Sequence, residues 1–105
     1  MVAHNPNPAD RAMYSDTWVN LIWNEGIKAG SYDVYFGENF IDVQDGTVDV
    51  FRGNQTTKYF IVGFAGFPYP DGLVPGTTYF WRIDDVGADG TVIHKGKIWS
   101  FTVSP

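Results

Sequence analysis

Short segments rich in β-branched and aromatic residues recur along the chain, separated by Gly, Pro, Asn and Asp. Within most of these segments apolar and polar side chains alternate, which is the period of a half-buried β-strand. The predicted strands span residues 9–13, 17–23, 32–36, 58–64, 79–86 and 98–103. Residues 41–51 are predicted to form two short strands joined at Asp45-Gly46, a dipeptide that favours hairpin turns.

This spacing predicts one all-β domain over residues 1–105, with residues 1–8 as an extended, proline-rich lead-in. About seven antiparallel strands in a chain of this length are typical of a two-sheet sandwich. No predicted strand is followed by a segment long enough for a crossover helix, so a parallel βαβ arrangement is not expected. The segment 58–64 is apolar on both faces, and alternation does not assign its inward side.

Aromatic residues make up 17% of the chain, and alternation divides them between the two faces of each strand. Large rings bury much apolar area, so those on the inward faces are expected to dominate the core. The predicted core contains Trp23, Tyr79, Trp81, Trp99 and Phe101.

The segment before the strand 79–86 has the form Leu-x-Pro-Gly-x-x-Tyr, from Leu73 to Tyr79. The Pro75-Gly76 pair favours a turn, which would bring the backbone round to the Tyr79 hydroxyl. This arrangement is a tyrosine corner, and the segment resembles the one before the sixth strand of fibronectin type III domains.

Further segments appear in the order found in fibronectin type III and immunoglobulin-like accessory domains of large exported bacterial proteins. They are Pro6-Asn7-Pro8-Ala9-Asp10, Leu21-Ile22-Trp23, residues 31–37, residues 78–84 and residues 96–101. The resemblance implies a fibronectin-III/Ig-like sandwich of two sheets. It also implies a non-catalytic spacer or packing module of a secreted multidomain protein, beside a catalytic or lectin domain. One departure is Asn24-Glu25-Gly26, where such domains more often have Pro-Gly.

The formal net charge is −5, and the chain has no cysteine. An acidic domain without a basic cluster is a poor partner for nucleic acid or for an anionic membrane. We expect neither partner, and we expect a monomer. Residues 1–4 lead directly into a polar segment, so the signal peptide of a secreted parent would lie outside this sequence.

Candidate chemistry is sparse. His4 and His94 have no Ser or carboxylate neighbour in a triad-like spacing, and Asp84 and Asp85 point to opposite faces of one strand. Aspartates near Asp45 and Asp89 have the oxygen ligands that calcium prefers, but aspartate is also common in turns. We therefore predict no enzyme activity, no metal and no cofactor.

Outward aromatic side chains are the remaining candidates for a binding site. On strands predicted to share a sheet they are Tyr35 and Phe80, beside Arg82; elsewhere they are Trp18 and the loop residues Phe67 and Tyr69. Rings beside hydrogen-bonding groups are suited to polysaccharide. The same surfaces also suit a neighbouring domain of the parent chain, and a free strand edge suits protein–protein adhesion.

Overall fold

The computed structural model describes residues 3–24, 26 and 29–105, and within them the chain forms nine strands and one short helix. The elements are β1 (His4–Asn7), β2 (Ala12–Tyr14), β3 (Val19–Asn24), β4 (Ser31–Gly37), α1 (Phe40–Asp45), β5 (Phe51–Gln55), β6 (Tyr59–Val62), β7 (Thr78–Val86), β8 (Val92–His94) and β9 (Ile98–Val103). The six residues of α1 are too few to cross a membrane, and no other helix occurs in the described residues.

The strands form two sheets, which confirms the predicted all-β sandwich. One sheet has the order β1-β3-β6, and the other has the order β2-β9-β7-β4-β5, with β8 paired to β7. The pairing is antiparallel except between β2 and β9, which run parallel. The strands β4, β7 and β9 all belong to the larger sheet, and the segments 32–36, 79–86 and 98–103 were predicted to share one sheet.

The core lies between the two sheets, where the alternating apolar positions of both meet. The structure buries all five aromatic residues of the predicted core: Trp23, Tyr79, Trp81, Trp99 and Phe101. The rings of Phe36 and Tyr79 are nearly parallel, with centroids 5.5 Å apart, and Trp81 meets Trp99 edge-on at 4.8 Å. The interior is therefore filled by the domain's own rings.

The tyrosine corner predicted from the Leu-x-Pro-Gly-x-x-Tyr pattern is confirmed. The Tyr79 hydroxyl accepts a hydrogen bond of 2.8 Å from the backbone N–H of Val74. Burial is the main cause of the raised pKa of Tyr79, so this hydroxyl stays protonated at neutral pH.

The N-terminal segment differs from the expectation. Residues expected to be a lead-in include β1, which pairs with β3, and the first strand predicted at 9–13 is instead β2. Pro6 is compatible with β1 because β1 is the outer strand of its sheet, where a missing N–H is tolerated.

The hairpin predicted at Asp45-Gly46 is wrong, because residues 40–45 form α1. The Asn39 side chain caps the start of the helix by accepting a hydrogen bond from Asp42 N. Gly46 ends it in the left-handed conformation, with φ of 67°. A six-residue helix is unstable alone, so its contacts with the sheet must hold it.

The strand predicted at 58–64 is β6. Its register with β3 assigns the faces that alternation left open, since Val19 pairs with Val62 and Asn20 pairs with Ile61. Val62 is buried in the core, whereas Tyr59 and Ile61 project from the outer face.

Candidate functional site

The expected platform on the larger sheet is covered by α1. Arg82 is only 4% exposed, although it lies on the outward side of β7. Its Nη1 donates hydrogen bonds to the carbonyl oxygens of Val43 (2.7 Å) and Gln44 (2.9 Å) in the last turn of the helix. Its Nε and Nη2 donate to the Asp84 carboxylate, at 3.0 and 3.1 Å.

The aromatic rings of this platform are also engaged within the protein. The Tyr35 ring lies 4.1 Å from the Arg82 guanidinium carbon, a cation–π contact, and Phe80 packs edge-on against Phe40 of α1. The surface of Tyr35, Phe80 and Arg82 therefore holds the helix on the sheet. Its outward orientation was predictable, but the helix above it was not.

The two aromatic rings of the loop, Phe67 and Tyr69, lie in different environments. Tyr69 is half-buried between Phe36 (5.6 Å) and Tyr79 (5.4 Å), and burial is the main cause of its raised pKa. Phe67 is 41% exposed. Of these two rings, therefore, Phe67 is the one that is exposed enough to contact a ligand.

Trp18 is 46% exposed and meets the exposed Phe64 ring edge-on, with centroids 6.4 Å apart. With Ile61 these two rings line a shallow hollow of about 250 Å³. Ile22, two positions from Asn20 on β3, extends the same outer face. We call Trp18, Ile22, Ile61 and Phe64 the Trp18 face. Ile61 and Phe64 were not candidates from the sequence, because the orientation of β6 depends on its pairing with β3.

A second depression, here called the β6 groove, follows the outer edge of β6. It has a volume of about 440 Å³, within the range of small-ligand pockets. Its lining combines two polar side chains with aromatic and aliphatic ones: Gln55, Thr57, Tyr59, Phe60, Ile61 and Phe67. Only Phe67 among these was a candidate from the sequence, since residues 55–57 lie outside the predicted strands and the segment 58–64 is apolar on both faces.

The two adjacent aspartates have different environments. Asp84 binds Arg82 and accepts a hydrogen bond from Gly96 N, whereas Asp85 is fully buried with His94 Nδ1 at 3.6 Å. Burial raises the pKa of Asp85. The amides of Ala3 and Gly26 and the His94 imidazole oppose this rise, but no described group makes a well-formed hydrogen bond to the carboxylate.

Only the His94 member of this pair reaches the surface, since its side chain is 31% exposed and that of Asp85 is fully buried. The described residues contain no group of three or more His, Asp or Glu side chains arranged to hold a metal ion.

No protein-family model matches the chain, and no curated protein matches it either. The two sheets are compatible with an immunoglobulin or fibronectin type III domain.

Proposed function

We propose that this chain is a non-catalytic accessory module of fibronectin-III/Ig-like type that packs against a neighbouring domain of a secreted multidomain protein. The observation that carries the proposal is the Trp18 face, an exposed and largely apolar surface. Among the described residues, its central hollow is lined by Trp18, Ile61 and Phe64. Contiguous exposed apolar surface commonly marks an interaction site.

The chemistry of this hollow favours a protein surface over a sugar. Its three lining side chains are hydrocarbon apart from the single indole N–H of Trp18. A sugar pressed into the hollow would lose water from several hydroxyl groups and could replace it with few hydrogen bonds, which is unfavourable. Apolar side chains from another domain have no hydroxyl groups to desolvate. Burying them against the hollow is stabilised by the hydrophobic effect.

The rest of the domain supports an accessory role. The aromatic core occupies the interior, and the outward face of β7 is used to hold α1. The secreted location and the neighbouring catalytic or lectin domain rest on the resemblance of residues 5–105, and they belong to the same proposal.

Trp18 provides a direct test, because Trp23, Trp81 and Trp99 are buried and Trp18 is the exposed one of the four tryptophans. Acrylamide quenching would be measured in the isolated chain and in the parent polypeptide carrying its flanking domains, each as wild type and as Trp18→Phe. The difference between wild type and variant isolates Trp18. We expect strong quenching of Trp18 in the isolated chain and protection in the parent.

A matched control is Met13→Ala, which removes an exposed apolar side chain from β2 in the other sheet. In the parent, Trp18→Ala should let the domains tumble independently in ¹⁵N relaxation measurements, while Met13→Ala should not. Equal quenching of Trp18 in both contexts, or a parent without a folded neighbour, would overturn the proposal.

A further inference from the structure

The β6 groove is built around a short free stretch of strand edge. β6 is the outer strand of its sheet among the described strands. Trp23 N donates to Lys58 O across the β3–β6 ladder, at 3.2 Å. Because peptide groups in an antiparallel ladder alternate in direction, those of Phe60 point toward β3 and those of Tyr59 and Ile61 point toward the open edge.

Both ends of this edge are closed by other parts of the chain. At one end Gln55 Nε2 donates to Tyr59 O, at 2.6 Å. At the other end Gly63 N donates to Pro68 O, at 2.8 Å. Between these two bonds the N–H and C=O of Ile61 face the groove, and no hydrogen bond from another described residue reaches them.

The polar side chains of the groove are held by hydrogen bonds that leave part of their hydrogen-bonding capacity unused. Gln55 Nε2 donates to Thr57 O, Thr57 Oγ1 and Tyr59 O, so its hydrogens are used and its Oε1 remains an acceptor. Thr57 Oγ1 accepts from Gln55 and keeps its own hydrogen to donate. The groove therefore offers donors and acceptors in fixed positions.

The aromatic part of the groove is accessible. Tyr59 is 51% exposed and Phe67 is 41% exposed, and both rings are outside the core cluster. A flat apolar ligand face can stack on rings of this kind while its polar groups meet the strand edge.

We propose that the β6 groove binds one sugar residue of a neutral polysaccharide. A pyranose ring has an apolar C–H face for Tyr59 or Phe67 and hydroxyl groups for Ile61, Thr57 and Gln55. The six lining side chains are uncharged, and the chain has a net charge of −5, which disfavours an anionic polymer.

An added peptide strand is a poorer occupant of the same edge. Strand addition relies on a row of backbone hydrogen bonds. Here Gln55 and Pro68 close the edge on both sides of Ile61, so the ladder available to a peptide is about one residue long.

The test uses the chain itself, labelled with ¹⁵N, and soluble neutral polysaccharides as probes: mixed-linkage β-glucan, xyloglucan, arabinoxylan and galactomannan. Polygalacturonate is the anionic control, and a short Thr-Val repeat peptide tests strand addition. We expect at least one neutral polymer to retard the domain in affinity gels and to shift the amide of Ile61 and the side-chain amide of Gln55. Polygalacturonate and the peptide should have no such effect.

Tyr59→Ala and Phe67→Ala should each weaken binding by about tenfold or more, the loss expected for truncating a central contact. Phe51→Ala, in the other sheet and 40% exposed, is the matched control and should bind normally. Trp18→Ala should also bind normally, which separates this proposal from docking through the Trp18 face. Silence with all four neutral polymers, full binding by both groove variants, or loss of binding in Trp18→Ala alone would overturn the groove as a sugar site.

Discussion

Arg82 and Asp84 form a buried ion pair on the outward side of β7, with 3.0 Å between Nε and Oδ1. The same guanidinium donates to Val43 O and Gln44 O at the end of α1 and lies over the Tyr35 ring. One side chain therefore holds the helix to the sheet and neutralises a buried carboxylate.

Arg82→Met should lower the free energy of unfolding by about 3–5 kcal/mol, because it leaves the Asp84 charge and two helix carbonyl groups without their donor. Urea denaturation followed by circular dichroism measures this loss. Lys97→Met, at an exposed position, is the charge-matched control and should change stability by less than about 0.5 kcal/mol. A loss no larger than that of the control would refute the structural role of Arg82.

Gly46→Ala tests how tightly the C-terminal end of α1 packs against Arg82 and Tyr35. A methyl group at position 46 would lie 3.1 Å from Arg82 Nη2 and 3.2 Å from Tyr35 Cε1. Gly90 has a similar positive φ, but a methyl group there has no atom of the described residues within 4 Å apart from its own chain neighbours. We expect Gly46→Ala to cost about 1 kcal/mol more than Gly90→Ala in the free energy of unfolding. Equal costs would mean that backbone strain alone matters.

Tyr79→Phe should cost about 1–2 kcal/mol, because the Val74 N–H loses the hydroxyl acceptor of the tyrosine corner. Tyr59→Phe removes the same atom from an exposed ring and should leave the free energy of unfolding unchanged. Thermal and urea unfolding of both variants give the comparison. Identical stabilities would show that the corner bond contributes nothing net.

Asp85 should make stability depend on pH. Since burial raises its pKa, the folded domain binds this proton more tightly than the unfolded chain. The resulting stabilisation is complete below the unfolded-state pKa of about 4 and is lost as the pH rises through the folded-state pKa. The neutral variant Asp85→Asn lacks this loss, so it should gain stability relative to wild type as the pH increases.

Urea unfolding at a series of pH values from about 3 to about 8 measures this difference. The comparison is repeated in a His94→Gln background, because His94 Nδ1 lies 3.6 Å from the Asp85 carboxylate. Asp71→Asn, in an exposed turn, controls for the loss of one negative charge. A difference between wild type and Asp85→Asn that stays constant, or moves toward wild type, would contradict the assignment.

Alternation along single strands predicted much of the interior. Trp23 and Trp81 are buried because successive side chains of a strand face opposite sides, which is a local property of extended backbone. The tyrosine corner was also predictable, since Pro75-Gly76 and Tyr79 lie within one short segment. In β6 the pattern failed because both faces are apolar, and its orientation came from pairing with β3.

The candidate site was less predictable, since exposure depends on what lies above a residue. Arg82 has the outward orientation that alternation predicts, yet α1 buries it. Phe67 and Tyr69 are two positions apart in one loop, but only Tyr69 lies against the core. Ile61 faces a groove because Gln55 and Pro68, from two other segments, close the ends of its strand edge.

The sequence by itself therefore determined the strand-rich fold, the inward faces of the clearly alternating strands and the tyrosine corner, because each follows from backbone geometry within a few residues. The tertiary structure decided that residues 40–45 are helical, that Arg82 is enclosed, and that the Trp18 face and the β6 groove are open. A six-residue helix is not stable by its local sequence, and the exposure of an aromatic ring is not set by its own segment. Both are decided by contacts between distant segments.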